Sequence, residues 1–75
     1  MSRLRVLREK RGFTQVKMQI LIGIDQSDYS KIECGKRYCS FEQCRKIALA
    51  LDTSMDYLAG LTNVEKPYPR AKDMD

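Results

Sequence analysis

Residues 14–35 read TQVKMQILIGIDQSDYSKIECG. Two short helical runs meet at Gly23, and each begins on a good capping residue, Thr14 and then Asp25. Gly23 stands where a tight turn asks for a positive φ that other residues resist. In the first run Met18 and Ile22 face inward together with Phe13 from the preceding turn. In the second, Tyr29 and Ile32 share an inward face at a spacing of three. Gln26, Ser27, Asp28 and Lys31 are left on a polar face. Ser27 and Lys31 lie one helical turn apart, with Gln26 beside them at the N-terminal end. A helix, a glycine turn and a capped helix with a polar face make the pattern of a helix-turn-helix.

The flanking sequence extends this to five helices. A first helix is expected after Ser2, with Leu4 and Leu7 inward, Lys10 and Arg11 at the negative end of its dipole and Gly12 as its stop. The second is expected to reach Leu21, and the third Glu33 or Cys34, ended by Gly35. Residues 36–39 form a basic loop. Ser40 followed by Gln43 is a capping box. It opens a helix over 41–51 with an apolar stripe of Phe41, Cys44, Ile47, Ala48 and Leu51. Ser54 caps a short fifth helix, in which Met55, Leu58 and Leu61 close the core. There is no β alternation and no internal repeat. The expected fold is an all-α five-helix bundle over residues 1–61. Residues 62–75, with Pro67 and Pro69, form a C-terminal tail, flexible or packed at a dimer interface.

Composition narrows the function. Seventy-five residues make one small domain with a thin core. The net charge is +4 and arises entirely in residues 1–61, which hold 11 Lys or Arg against 7 Asp or Glu. Such a domain suits a polyanionic partner. No apolar run approaches the ~20 residues that span a bilayer, and charged residues interrupt the first turns where a signal peptide would lie. A cytoplasmic, nucleoid-associated location is expected, with no membrane partner. The three cysteines, Cys34, Cys39 and Cys44, read as free thiols. Their spacing of five is not a paired zinc motif and the chain has no histidine, so neither metal nor cofactor is expected. Cys44 falls on an apolar helix face. Lys36 and Arg37 near Cys39 favour its thiolate, and a redox role for Cys34 or Cys39 is left open. Without histidine, paired carboxylates or a phosphate loop, the chain does not read as an enzyme.

In their order and spacing, these residues resemble the Cro and lambda-repressor type of helix-turn-helix domain, the xenobiotic-response-element family. The resemblance runs over positions 3–61. It is carried by Leu4 and Leu7 before Arg8, Gly12, Thr14-Gln15, Gly23-Ile24, Gln26-Ser27, Ser30, Ile32-Glu33, Gly35-Lys36-Arg37, Ser40, Ile47-Ala48, Ala50-Leu51 and residues 54–58. It implies a lambda-repressor-like fold whose third helix enters the major groove of duplex DNA. It also implies that Gln26, Ser27 and Lys31 read base edges, glutamine being matched to adenine. Asp28, by its own chemistry, is expected to read the cytosine amino group, the alternative being a charge that phosphates repel. By the same resemblance Gln15 would contact a phosphate and brace the reading helix, Lys36, Arg37, Tyr38 and Ser40 would contact phosphates, and Arg8 and Glu33 would form an internal ion pair. Three departures stand out. Asp28 lies where a small neutral residue is usual, Gln19 replaces a small packing residue, and Val16, Ile20 and Leu21 lie where polar surface is usual.

The resulting expectation is a sequence-specific DNA-binding transcriptional regulator, a repressor acting as a homodimer on a palindromic operator, because one such domain reads too few base pairs alone. The dimer contact is expected at Tyr57, Leu61 and Val64. The alternative is a protein-interaction module of the same fold, such as an antitoxin-like partner, docking through Val16, Ile20 and Leu21.

Overall fold

The computed structural model describes residues 2–69. Five helices follow in order: α1 (Ser2–Lys10), α2 (Gln15–Ile22), α3 (Gln26–Glu33), α4 (Phe41–Ala50) and α5 (Met55–Ala59). None exceeds ten residues, a length at which an isolated helix is marginal in water. Their persistence therefore rests on caps and on a shared core. The Thr14 hydroxyl accepts from the Lys17 amide at 3.0 Å and Asp25 from the Asp28 amide at 2.8 Å. Ser54 accepts from the Tyr57 amide at 3.0 Å. Ser40 forms a full capping box, accepting from the Gln43 amide while Gln43 accepts from the Ser40 amide. Each cap contributes about 1 kcal/mol. Gly23 ends α2 at φ 80°, as the turn demands, and its amide donates to the Gln19 carbonyl at 2.7 Å.

Leu4 and Leu7 of α1, Met18 and Ile22 of α2, Tyr29 and Ile32 of α3, Ile47 and Ala48 of α4, Leu51, and Leu58 of α5 form one buried cluster. α2 packs on both α3 and α4, while α1 lies against α3 and α5. The helix with the polar face is thus held from two sides. Gln19 is accommodated in this packing half-buried, its side-chain nitrogen enclosed without a hydrogen-bond partner. Among the described residues there is no strand.

Two expected core positions are on the surface. Phe41 is 73 % exposed and Leu61 78 % exposed. Phe41 is the first residue of α4, ahead of the turns that carry Ile47 and Ala48 into the core. Leu61 follows Gly60, whose left-handed conformation (φ 82°) turns the chain off the end of α5 before another core contact forms.

The tail lies against its own domain as far as residue 69. Arg3 donates to the carbonyls of Tyr57 (2.9 Å) and Thr62 (2.6 Å) and to the Asn63 side chain (2.7 Å), with its guanidinium over the Tyr57 ring. Glu65 pairs with Lys10 and Arg11, its carbonyl accepts from Thr53, and the Tyr68 hydroxyl donates to Asp56. The expected tail beyond residue 69 lies outside the described residues.

Candidate nucleic-acid interface

The inner face of α3 is clamped. Arg8 grips Glu33 through two parallel hydrogen bonds, Nε to Oε2 at 3.0 Å and Nη2 to Oε1 at 2.9 Å, and donates its remaining nitrogen to the Phe13 carbonyl at 2.7 Å. Such a bidentate pair fixes direction as well as distance. Both side chains are nearly buried, 11 % exposed for Arg8 and 3 % for Glu33. Burial alone would raise the Glu33 pKa, but hydrogen bonding to Arg8 and the nearby Tyr29 hydroxyl outweigh it and hold the carboxyl below its ordinary range. The Tyr29 hydroxyl sits beside this carboxylate without ordinary hydrogen-bond alignment. Burial, reinforced by the negative neighbour, pushes its own pKa up.

Gln15 is part of the same clamp. Its side-chain oxygen accepts from Ser30 at 3.1 Å and its nitrogen lies 3.4 Å from Glu33 Oε1. The side chain is therefore turned onto α3, and a phosphate contact by its amide would compete with these bonds. Ser30 is the member of the network to which the residue pattern alone did not assign a role, because its partner Gln15 is 15 positions away on another helix.

The outer face of α3 carries Gln26, Ser27 and Lys31, all exposed. The loop that follows is folded tightly onto the helix end. The Lys36 amide donates to the Lys31 carbonyl at 2.8 Å and the Arg37 amide to the same oxygen at 3.2 Å. Lys36, Arg37, Tyr38 and Ser40 are exposed, Tyr38 almost fully. The Ser40 oxygen already accepts from Gln43, so the hydroxyl's own proton is the group left to offer an anion.

Asp28 has a different surrounding from its neighbours. Its carboxylate pairs with the Arg37 guanidinium at 2.5 Å, both side chains being roughly two-fifths exposed. An expected base reader and an expected phosphate contact are thus bound to each other. The pair ties the front of α3 to the loop behind it.

Elsewhere on the surface, Val16, Ile20 and Leu21 are exposed along α2, Ile20 the most at 74 %. Among the expected dimer residues, Leu61 and Val64 are exposed, whereas Tyr57 is half-buried under Arg3. Cys34 is exposed and Cys39 and Cys44 are half-buried free thiols. Among the described residues no cluster of three or more His, Cys, Asp or Glu could hold a metal ion. Nor is any helix among them long and apolar enough to cross a membrane.

Comparison with curated proteins and with solved structures gives no match. Comparison with protein families does: residues 1–64 match the helix-turn-helix domain, a span that takes in all five helices and the first residues of the tail. With an all-helical bundle, a glycine turn between α2 and α3, and α3 presenting a polar face, the chain belongs to the helix-turn-helix domain family, in agreement with its resemblance to the Cro and lambda-repressor type.

Proposed function

We propose that this protein is a sequence-specific transcriptional regulator that binds duplex DNA as a homodimer and represses from a palindromic operator at the nucleoid. The observation that carries the reading is the two-sided character of α3. Its inner residues Tyr29, Ile32 and Glu33 are buried and locked by Arg8 and Gln15, while Gln26, Ser27 and Lys31 project from the opposite side. A braced helix with an exposed polar face is what reading base edges in the major groove requires. Lys36, Tyr38 and Ser40 flank that face and supply sequence-independent backbone contacts. Asp28 neutralises Arg37 at the rim of the interface and so withholds that guanidinium from the DNA backbone. Selection of bound duplexes from a random pool tests the reading. A palindrome with half-sites about one helical turn apart is expected, and recovery of no shared motif would refute it.

A second reading rests on one observation, the exposed apolar residues Val16, Ile20 and Leu21. An apolar stripe on a small domain suits a protein partner. The same selection separates the readings, because an interaction module without DNA recognition returns no motif.

A further inference from the structure

Cys39 and Cys44 hold two special positions relative to α4. Ser40 is the N-cap and Gln43 closes the capping box, so Cys39 is the residue just before the cap and Cys44 the fourth residue of the helix. A helix entry of this kind brings those two side chains together, and sequences commonly fill both places with apolar groups that fix the angle of entry. Here both are thiols. They line one cavity of about 530 Å³, walled also by Arg3, Arg37, Tyr38 and Leu58. Both are half-buried, and Cys39 is near enough to Cys44 to reinforce the upward shift of its thiol. Cys34 is exposed and does not line that cavity.

We propose that Cys39 and Cys44 are a dithiol modification site that closes to an intrachain disulfide when a hydroperoxide enters this cavity. Cys39, on the loop side, acts first. Its thiolate attacks one peroxide oxygen, the O–O bond breaks, and the departing oxygen leaves as alcohol or water after taking up a proton. Cys39 is then a sulfenic acid. The Cys44 sulfur attacks the Cys39 sulfur, the S–O bond breaks, and the hydroxide leaves as water with the Cys44 proton. Two thiols lose two electrons and one hydroperoxide gains them. Burial, with Cys39 adding to it, pushes the Cys44 thiol up to about 11, so Cys44 is not the first to meet the peroxide. It attacks only once Cys39 is oxidised, giving up its proton to the departing hydroxide. The new bond would join the loop holding Tyr38 to the first turns of α4. On the DNA-binding reading, it alters the backbone grip.

The test uses the full chain carrying Cys34→Ser, which leaves only the proposed pair. The reduced protein is treated with hydrogen peroxide and then denatured for thiol counting and intact-mass measurement. The expected result is loss of both thiols, a mass lower by two hydrogen atoms, and a single-chain species restored by dithiothreitol. Further replacement of Cys44 by Ser should instead leave Cys39 carrying added oxygen. Retention of both thiols, oxygen added to Cys39 beside an intact Cys44 thiol, or a disulfide between two chains would each overturn the proposal. The readout is chemical, so it stands apart from the fate of DNA binding, which is measured separately on the same oxidised sample.

Discussion

The Asp28 carboxylate and the Arg37 guanidinium form an ion pair across the junction between α3 and its following loop. The pair changes the expected effect of removing Asp28. A carboxylate at the rim of the DNA face lies within ~8 Å, about one Debye length at physiological salt, of any phosphate it borders. Asp28→Ser removes that repulsion and frees Arg37. Affinity for every duplex should rise, and the log–log salt slope should steepen by about 1. Anisotropy titrations at several salt concentrations measure both. Weaker binding of the preferred site, with preference lost at one base pair, would assign Asp28 to base reading instead.

Lys36 and Gln26 should fail in different ways. Lys36 is on the loop beside the helix, and Gln26 is at the front of the exposed face. Lys36→Ala should weaken binding to all duplexes alike and make the salt slope shallower by about 1. Gln26→Ala should cost about 1–3 kcal/mol, concentrated on the preferred site. Titrations against the preferred and a scrambled duplex distinguish them, and an exchange of the two patterns would contradict the assignment.

The Arg8–Glu33 clamp gives a stability prediction with a pH signature. Glu33→Gln strands a nearly buried guanidinium, a change that costs about 3–5 kcal/mol when one partner of a buried pair is removed. That is a large fraction of the stability of so small a domain, at about 0.05–0.15 kcal/mol per residue. Because the folded Glu33 carboxyl titrates below its reference value of 4.5, its contribution is complete above that pH. It is lost as pH falls through the folded value. The gap between wild type and Glu33→Gln in denaturant unfolding should therefore be widest near neutrality and narrow in acid. A gap independent of pH would show that the ion pair is not its origin.

Dimerisation is expected to use the exposed Leu61 and Val64, with Tyr57 at the margin because Arg3 covers its ring. The docking of Thr62, Asn63 and Glu65 by Arg3, Lys10 and Arg11 holds the segment that carries Val64 against the domain. In sedimentation, Leu61→Glu should produce a monomer and Ile20→Glu should not. The opposite outcome would move the interface to the apolar stripe of α2.

Local chemistry made most of the fold legible. Thr14, Asp25, Ser40 and Ser54 cap the helices they precede, and Gly23 takes the left-handed turn expected of it. These signals act over three or four residues, so the residue pattern contains them whole. Contacts between distant segments were legible only where the family resemblance supplied them, as for Arg8 and Glu33. The tail has no periodicity, and its attachment through Glu65 and Tyr68 depends on side chains more than ten positions away. Gln15 braces α3 as the resemblance implied, through Ser30 and Glu33, but the pairing of Asp28 depends on how the loop folds back. Phe41 and Leu61 fitted apolar spacings but sit where a helix starts and where the chain leaves one, beyond the reach of the core. The residues proposed to read bases are legible as an exposed polar face, but the base that each meets is a property of the operator.

The central claim is that α3 confers preference for one duplex sequence. Competition anisotropy tests it most directly, with a labelled duplex of the selected palindrome displaced either by itself or by a scrambled duplex of equal length at physiological salt. Self-competition at least ~10³-fold more effective than scrambled competition is predicted, the lower end of the range for specific over non-specific binding. Equal competition by the two duplexes, or no binding of the labelled palindrome, would contradict it.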